Sequence, residues 1–547
     1  MDGKTLRDAI ISGTNNIFNH REMVDELNVF PVPDGDTGAN MSATMKSTLN
    51  ELSNIDDNAD IGTVADKAAA AMLRGARGNS GVILSLLFRG LSKGLGTKAT
   101  ATECEFCESL ELGVQAAYKS VMKPTEGTIL TVAREASAVA HDSAKIGSDF
   151  PAVFASLVSE AKASLERTPD LLPVLKKAGV VDSGGMGYVH IIEGMRSVID
   201  GEGIIAMEQK TESSATVTVG NVAGTFDTEI EFTYCTEYLV RKKSNSGDVM
   251  KLRAVLESMG DSVVVVDDDE IIKVHVHTDN PGKALEEGIL FGELINIKIE
   301  NMREQHKGEA VKAEQQRKNK LPPKAPENDF GFVAVVAGQG IEDLFKDLGV
   351  DSIVRGGQTF NPSTEDIIEA ILATPAFNVF VLPNNKNIIL AAEQAQRFIK
   401  DRNVVVLQSR TIPQGVSALL SFDPEVDVRE NSVKMTLALD KVSTGTVTFA
   451  VRDSDFEEKK IKKNDILALE NGKLTYVEKD VTRALLRITK RMVKSDSNYV
   501  TVMYGVDIPE SAAQNAFEQL RAKINSDVEV VLVNGGQPVY YYIVSVE

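Results

Sequence analysis

Cysteine is scarce in this sequence, with 3 among 547 residues. Such a low count is typical of a protein from a reducing compartment, since a disulfide framework needs many more. Basic residues are also outnumbered, with 59 Lys and Arg against 79 Asp and Glu and a net charge of -20. This balance argues against nucleic acid or an anionic membrane as the main partner.

Long apolar runs are missing as well. No run approaches the roughly 20 residues that a membrane-spanning helix needs, and the first residues lack the pattern of a signal peptide. We therefore expect a cytoplasmic protein with no integral membrane segment and no nucleic-acid partner. At 547 residues the chain is too long for one hydrophobic core, so about three domains are expected.

Periodicity divides the chain into segments. Residues 1–202 carry apolar residues at three- and four-residue spacing, which predicts an all-helical domain. Residues 203–310 follow a βαββαβ order, which predicts a ferredoxin-like α+β domain. Residues 311–328 are polar and proline-rich, as expected of a linker. Residues 329–547 alternate buried strands with helices, which predicts an α/β domain with a parallel sheet.

Residues 28–41, which we call the acidic stretch, contain two Pro, two Gly and two Asp and lead into one of the first helices. Asp34 and Asp36 stand one residue apart and would repel each other unless a cation lay between them. Mg²⁺ suits such a pair, because it takes oxygen ligands, uses few carboxylates and leaves positions for phosphate oxygens. Asp36 or Thr37 is a suitable N-cap for the helix that follows. The alternative is an acidic turn that only caps a helix, and for an isolated Asp-Gly-Asp this interpretation is favoured.

Three further helices are predicted to begin with Gly-rich polar turns, at residues 75–81, 123–128 and 182–187. Free N–H groups and the positive end of the helix dipole make such starts suitable for binding anions. Alternatively they are ordinary turns between helices. Taken with the acidic stretch, they predict four helix N-termini gathered around a phosphate-bearing ligand and its metal. Four cations are expected to supply further positive charge there: Arg74, Arg77, Lys123 and Arg134.

The middle segment contains a candidate metal site. His275 and His277 lie two apart on a predicted strand and so share one face, and Cys235 lies on the first strand, which neighbours the third in a ferredoxin-like sheet. A thiolate and two imidazoles provide three ligands for Zn²⁺. The alternative is a polar strand face beside a buried cysteine.

In the last segment, polar turns follow the predicted strands, at residues 356–364, 383–386 and 410–415. Ligands of open α/β sheets bind at such strand ends, although Asn and Ser also occur there as ordinary loop caps.

Residues 33–41, 79–81 and 182–185 resemble the nucleotide-binding subunit of dihydroxyacetone kinases, an all-helical barrel that holds ATP and Mg²⁺ at its rim. Residues 27–34 and 123–130 are closer to the catalytic subunit of bacterial fatty acid kinases, and that resemblance extends over the whole chain. It includes a last segment similar to DegV-like fatty-acid-binding proteins.

The resemblance implies that Asp34 and Asp36 are the catalytic metal ligands. The dihydroxyacetone kinase relatives carry a third Asp where this chain has Val29, so Asn28, one position earlier, is the candidate third ligand for Mg²⁺. The implied nucleotide-binding residues are Thr37, Asn40, Met41, Asn79, Ser80, Gly81, Thr128, Asp182 and Gly184. The fatty acid kinase middle domain also carries a Cys and a His-x-His at places that match Cys235, His275 and His277, which supports a zinc site.

The resemblance further implies an ATP-dependent kinase that phosphorylates the carboxylate of a fatty acid held by a separate fatty-acid-binding protein. The product would be an acyl phosphate for phospholipid synthesis, and residues 329–547 would dock the partner, with a homodimer as a candidate assembly. Two alternatives stay open at this point. One is a dihydroxyacetone-type small-molecule kinase, and the other is a non-catalytic, zinc-containing scaffold that senses nucleotide.

Overall fold

The structure, a computed structural model, describes residues 1–28, 35–121, 123–208, 233–243, 249–267, 271–301, 322–357, 360–456 and 459–547. The chain forms two compact units. The larger unit combines Met1–Lys210 with Pro322–Glu547, and the smaller unit is Thr211–Leu321. Among the described helices, none is both long enough and apolar enough to cross a bilayer.

Every regular element described in the first part of the larger unit is a helix. The helices are α1 (Gly3–Asn19), α2 (Arg21–Glu26), α3 (Thr37–Lys46), α4 (Leu49–Ser53), α5 (Ile61–Gly75), α6 (Gly78–Leu95), α7 (Glu103–Ser120), α8 (Ile129–Lys145), α9 (Phe150–Leu171), α10 (Pro173–Ala178) and α11 (Ser183–Ile199). This confirms the predicted helical segment. Local chemistry sets several boundaries: Asp2 caps α1 through the Thr5 amide, and Thr102 with Glu105 forms a capping box at α7.

The smaller unit contains β1 (Tyr234–Lys242), α12 (Val249–Glu257), β2 (Gly260–Asp267), β3 (Ile271–Thr278), α13 (Pro281–Ile289) and β4 (Gly292–Asn301). Its sheet has the order β2-β3-β1-β4, and each neighbouring pair is antiparallel. Buried side chains of the strands, such as Val240 and Val274, pack with Leu252 and Ala284 of the two helices. The assignment of this unit to the ferredoxin-like class stays a prediction.

The second part of the larger unit begins with a parallel sheet and its helices. The elements are β5 (Asn328–Val336), α14 (Gln339–Asp347), β6 (Ser352–Arg355), α15 (Thr364–Ala373), β7 (Ala376–Leu382), α16 (Ile389–Phe398), β8 (Asn403–Val406), α17 (Ile412–Leu420) and α18 (Val428–Lys441). The strand order is β6-β5-β7-β8, and all three pairings are parallel. The predicted α/β segment is therefore confirmed.

A second, mixed sheet follows. Its elements are β9 (Ser443–Phe449), β10 (Ser454–Phe456), β11 (Lys459–Ile461), β12 (Ile466–Glu470), β13 (Lys473–Glu478), α19 (Val481–Met492), β14 (Tyr499–Tyr504), α20 (Glu510–Arg521), β15 (Glu529–Asn534) and β16 (Tyr542–Val546). The large sheet has the order β13-β12-β9-β16-β14-β15, and β10 and β11 form a separate hairpin. Helix α19 is strongly amphipathic, and its Leu485 and Ile488 are buried against this sheet.

The two parts of the larger unit share one hydrophobic core. A single cluster of buried residues includes Met41, Met72 and Leu87 from the helical part and Val333 and Ile367 from the α/β part. Helix α15 packs against α5, and α16 packs against α6. The α/β part is thus fixed to the helical part by apolar burial, which is the main stabilising contribution in a contact of this kind.

Candidate functional site

The N-termini of α3, α6, α8 and α11 meet at one end of the helical part, which we call the acidic end. The Ser183 hydroxyl at α11 donates to Thr37 Oγ1 at α3, at 3.2 Å. A β-carbon on Gly78, the first residue of α6, would lie 2.6 Å from Asn40 Nδ2 in the first turn of α3. Asp182 accepts a backbone hydrogen bond from Ile129, the first residue of α8. The predicted gathering of four helix starts is therefore present, and the positive ends of their dipoles favour a negatively charged ligand.

The start of α3 is capped differently from the prediction. Asp36 occupies the N-cap position, but its side chain accepts no hydrogen bond from the described first-turn amides. Asp25 of α2 takes that role, because its Oδ1 accepts from the Gly38 amide at 2.6 Å and the Ala39 amide at 3.3 Å. Burial raises the pKa of Asp25 to about 6, although these two hydrogen bonds oppose the shift. The prediction that Asp36 or Thr37 is the N-cap of α3 is confirmed at Asp36, but Asp25, and not the N-cap side chain, accepts from these two amides.

Asp36 instead receives a hydrogen bond from the α/β part. The amide Nδ2 of Asn361 donates to Asp36 Oδ2 at 2.6 Å, across 325 positions of sequence. Asn361 is 2% exposed and lies in the connection between β6 and α15. The sequence predicts a polar turn at residues 356–364 but gives no sign that it reaches the acidic stretch. Asp34, the predicted partner of Asp36, lies outside the described residues.

Four other predicted residues accompany Asp36 at the start of α3. Thr37 donates through its hydroxyl to Asn28 Oδ1 at 3.0 Å, so the amide oxygen proposed for a metal already has one donor. Asn40 and Met41 are 4% and 0% exposed. A β-carbon on Gly187 of α11 would lie 2.6 Å from Met41 Sδ, which places Met41 in the packing between α3 and α11. Asn28 and Thr37 are partly buried and therefore more accessible than Met41.

The other predicted nucleotide residues occupy the first turns of α6 and α11 and the N-caps of α8 and α11. Asn79 is exposed, Ser80 is partly buried, and Gly81 is buried. Thr128 is the N-cap of α8, and its hydroxyl accepts from the Leu130 amide at 3.4 Å. All of these residues belong to the acidic end of the helical part.

Asp182 is the N-cap of α11. Its Oδ2 accepts from the Gly185 amide at 2.7 Å, and Gly184 lies beside it in the first turn. Burial raises the pKa of Asp182 to about 6, and the hydrogen bonds from Gly185 and Ile129 oppose the shift. Asp182 is thus a partly buried capping carboxylate, while Asp36 is the carboxylate that contacts the α/β part.

Three of the four predicted cations form ion pairs or hydrogen bonds with other groups of the protein. Arg74 pairs with Glu51 at 3.2 Å, and Arg134 pairs with Glu126 at 2.8 Å. Arg77 contacts the α/β part: its Nη1 donates to the Asn361 carbonyl at 2.8 Å and lies 3.8 Å from Asp366. These charges are partly neutralised within the protein, and the sequence did not predict their partners.

The candidate zinc residues lie on two paired strands. The register of β1 and β3 places Cys235 opposite His277, with His275 two residues away along β3. The side chains of Cys235 and His275 lie outside the described ones. Among the side chains that the structure describes, no group of three or more His, Cys, Asp or Glu could hold a metal ion. The zinc assignment therefore stays a prediction.

A cavity of about 80 Å³, which we call the strand-end cavity, lies in the α/β part. It is lined by Val335, Ala337, Gly356, Gly357, Pro383, Asn384, Asn385, Arg410, Thr411, Ile412, Thr444, Thr446, Tyr540 and Ile543. The Asn384 oxygen Oδ1 is buried and finds no hydrogen-bond partner in the described part of the chain. The polar turns predicted at residues 356–364, 383–386 and 410–415 all contribute to this cavity.

Comparisons with known proteins cover most of the chain. Residues 31–197 match the profile of the DAK2 domain. Residues 231–309 match the profile of the FakA-like middle domain of fatty acid kinases, and residues 331–547 match the FakA-like C-terminal domain. These matches define a chain with a DAK2 kinase domain joined to two fatty acid kinase-type domains.

Relatives of similar length point the same way. Protein YloV of Bacillus subtilis is 42% identical over 100% of this chain and 99% of its own length. An uncharacterized protein of Staphylococcus saprophyticus is 41% identical with the same coverage. The chain belongs to the FakA-like family of fatty acid kinase proteins.

Solved structures give partial likenesses. A DegV family protein from Corynebacterium glutamicum matches 40% of this chain and 96% of its own, at 12% identity and a TM-score of 0.32. A dihydroxyacetone kinase from C. freundii, solved with AMP-PNP and Mg²⁺, matches 35% of this chain and 33% of its own, at 18% identity and a TM-score of 0.29.

Proposed function

We propose that this protein is an ATP-dependent kinase that phosphorylates the carboxylate of a fatty acid held by a separate fatty-acid-binding protein. The observation that carries the proposal is the meeting of four helix N-termini beside the Asp36 carboxylate, in a chain whose family profiles are those of FakA-like fatty acid kinase proteins. Residues 35–41, 78–81, 128 and 182–184 would form the nucleotide site.

The residues present fit a metal–nucleotide complex. The N-termini of α3, α6, α8 and α11 offer positive dipole ends, and the first-turn N–H groups that Asp25, Thr128 and Asp182 do not cap can donate to phosphate oxygens. Asp36, with Asp34 and the Asn28 amide oxygen, would hold Mg²⁺, since carboxylate and amide oxygens are ligands that this ion accepts. Bound Mg²⁺ would neutralise part of the charge on the transferred phosphoryl group.

The chain's own task is then mainly to position the reactants. A fatty acid carboxylate has a pKa close to that of a Glu side chain, about 4.3, and is ionised at neutral pH. The acceptor therefore needs no residue to remove a proton. Its oxygen forms a bond to the γ-phosphorus while the bond to the ADP oxygen breaks, so that an acyl phosphate and ADP leave. Backbone amides at the four helix starts would stabilise the charge that shifts during transfer.

The α/β part is proposed to dock the lipid-carrying partner. Its strand-end cavity is lined by Asn, Thr and Arg side chains suited to recognition. Residues 322–328 are hydrogen-bonded to the same part, since the Lys324 amide donates to the Leu372 carbonyl and the Asn328 amide donates to the Pro375 carbonyl. In the proposed scheme this part brings the acceptor, while the helical part supplies the nucleotide.

We also propose that the middle unit holds one structural or catalytic Zn²⁺ through Cys235, His275 and His277. The backbone register of β1 and β3, which pairs Cys235 with His277, supports this proposal. Elemental analysis of full-length protein purified without chelator should find one zinc per chain, and the Cys235→Ser variant should contain much less. Zinc-free wild-type protein would rule the site out.

The test of the kinase proposal uses the full-length chain with ATP, Mg²⁺ and a fatty-acid-binding protein loaded with fatty acid. Hydroxylamine should trap the product as an acyl hydroxamate, with one ADP formed for each acyl group. Dihydroxyacetone should not serve as acceptor. Phosphorylation of dihydroxyacetone in place of the fatty acid would establish the small-molecule kinase, and nucleotide binding without any turnover would establish the sensing scaffold.

A further inference from the structure

A loop of the α/β part closes one side of the acidic end. Within it, Asn361 is 2% exposed, and its Nδ2 lies 2.6 Å from Asp36 Oδ2. A buried amide that donates to a carboxylate fixes the orientation of that carboxylate, because a charge-assisted hydrogen bond is stronger than a neutral one. Asn361 is thus one of the groups that constrain the Asp36 carboxylate at the helix starts.

Arg77, the N-cap residue of α6, holds this loop in place. Its guanidinium donates to the Asn361 carbonyl at 2.8 Å and lies 4.1 Å from the centroid of the Phe360 ring. Next to it, the Thr364 amide donates to the Ala76 carbonyl at 3.1 Å. The loop therefore has backbone, side-chain and cation–π contacts with the start of α6.

Space at this point is tight. Gly78 has a φ of +57°, a conformation that favours glycine, and a β-carbon there would lie 2.6 Å from Asn40 Nδ2 and 3.3 Å from Asn361 Nδ2. The amides of Asn40 and Asn361 thus converge with the first residue of α6. Three sequence segments, from α3, α6 and the β6–α15 loop, meet within a few ångströms of the Asp36 carboxylate.

A second contact lies on the other flank of the acidic stretch. Arg452, which follows β9, donates to the carbonyls of Glu26 and Asn28. The α/β part therefore holds both flanks, at Asn28 and at Asp36. The shared apolar core of α5, α6, α15 and α16 fixes the relative positions of the residues that make these contacts.

We infer that Asn361 is a positioning residue for phosphoryl transfer, which it serves by orienting the Asp36 carboxylate toward the metal–nucleotide complex. This inference rests on the proposed kinase function. It assigns the α/β part a second role besides docking, because the acidic end is incomplete without the β6–α15 loop. The nucleotide-binding residues that the family resemblance implies all lie within residues 1–202, so Asn361 is not among them.

The experiment measures the binding of Mn²⁺ and a non-hydrolysable ATP analogue to the full-length chain by calorimetry, at a series of metal concentrations. Asn361→Ala should raise the metal concentration for half-maximal nucleotide binding about tenfold, the lower end of the usual effect of removing a side chain that orients a metal ligand. In turnover assays KM for Mg·ATP should rise more than kcat falls. Asn403→Ala is the matched control, since that exposed amide donates only to Asn378 Oδ1 among the described contacts.

A second variant tests the same loop in case Asn361→Ala does not fold. Arg77→Lys keeps the charge but loses the planar group above Phe360, so it should shift the metal dependence in the same direction. In the double variant the two shifts should be less than additive, because both act through the same loop. A merely structural role would lower the melting temperature of Asn361→Ala without changing its metal dependence, and this result would overturn the inference.

The two proposals fail in different ways. If wild-type protein binds no metal–nucleotide complex, the kinase proposal is wrong. If wild-type protein binds it and Asn361→Ala binds it equally at every Mn²⁺ concentration, only the role of Asn361 is wrong.

Discussion

The acidic end and the strand-end cavity both bring polar turns together at the ends of regular elements, and they differ in charge. At the starts of α3, α6, α8 and α11, three carboxylates lie close to the backbone amides: Asp25, Asp36 and Asp182. In the α/β part, the described lining of the cavity has no carboxylate and includes Arg410 with several Asn and Thr residues. Polar turns therefore carry carboxylates in one place, and amides, hydroxyls and a guanidinium in the other.

The difference indicates how two ligands can be kept apart in one protein. Helix starts with carboxylates suit a cation together with the phosphates that it neutralises. A cavity with amides, hydroxyls and one guanidinium suits a neutral or negatively charged group. Within the acidic end there is a further division, because Asp25 and Asp182 accept from backbone amides whereas Asp36 accepts from a side chain of the α/β part.

The largest expected effect comes from breaking the acidic end at Asp36. Asp36→Asn keeps the shape but removes the charge, so phosphoryl transfer should fall by about 100-fold or more and metal–nucleotide affinity should fall with it, since the metal contributes several kcal/mol. The melting temperature should change little, because the side-chain oxygen of Asn at this position can still accept the hydrogen bond from Asn361 Nδ2. Rate and melting temperature are measured on the same preparation.

Asp60→Asn is the control for this variant. Asp60 is also an N-cap whose side chain makes no capping hydrogen bond among the described residues. It is exposed and lies at the start of α5, whereas the end of α5 connects to α6 and the acidic end. Its replacement should leave the rate unchanged. Wild-type rates in Asp36→Asn would remove Asp36 from the metal site.

The second prediction tests the division between Asp25 and Asp36. Asp25→Ala leaves the Gly38 and Ala39 amides without their acceptor and should destabilise the protein by about 1–3 kcal/mol. Asp25→Asn retains an oxygen at this position and should recover most of that loss. Thermal unfolding of the two variants gives the comparison. Equal melting temperatures for Asp25→Ala and wild type would show that the cap is unimportant.

Sequence patterns predicted what local chemistry decides. Gly-rich turns followed by apolar residues at helical spacing located the starts of α3, α6, α8 and α11, because glycine and capping residues act within one turn. Strand alternation likewise located β1 and β3, the two strands whose register pairs Cys235 with His277. The function of these residues still needed the resemblance to a known family.

Contacts between distant segments could not be predicted in this way. Asp25 lies 13 positions before the amide that it caps, beyond the reach of capping rules that span three residues. Asn361 lies 325 positions from Asp36, and nothing in its own turn distinguishes it from an ordinary loop asparagine. The partners of Arg74 and Arg134, namely Glu51 and Glu126, are likewise set by how the chain packs.

The third prediction tests whether the strand-end cavity acts separately from the acidic end. Arg410→Ala should leave metal–nucleotide binding unchanged, because Arg410 lines the cavity and is absent from the described contacts of the acidic end. KM for the lipid-loaded partner should rise about two- to fivefold, which corresponds to the loss of one exposed charge pair worth up to about 1 kcal/mol. Titration of the partner at saturating ATP measures this. A loss of nucleotide binding in Arg410→Ala would mean that the two places are not separate.

The smallest effect is expected from a carboxylate of the helical part that lies away from both places. Glu193, in the second half of α11, has Oε2 3.2 Å from His190 Nδ1 and Oε1 2.6 Å from the Lys162 ammonium. These two groups hold the pKa of Glu193 at about 2, although burial acts in the opposite direction. A lowered pKa in the folded state means that the ionised form stabilises the fold above the unfolded pKa of about 4.3.

That stability should disappear as the pH falls from about 4.5 to 2, when the carboxylate becomes protonated in the folded protein as well. Glu193→Gln should therefore unfold at a lower temperature than wild type at pH 7, by an amount that corresponds to about 1 kcal/mol because the pair is partly exposed to solvent. The difference should shrink steadily below pH 4.5, while metal–nucleotide binding at pH 7 stays at the wild-type level. A pH-independent difference in melting temperature would mean that packing of the side chain, and not its charge, stabilises this part of α11. A loss of nucleotide binding would mean that the nucleotide site reaches along α11 as far as Glu193 and is not confined to the helix starts.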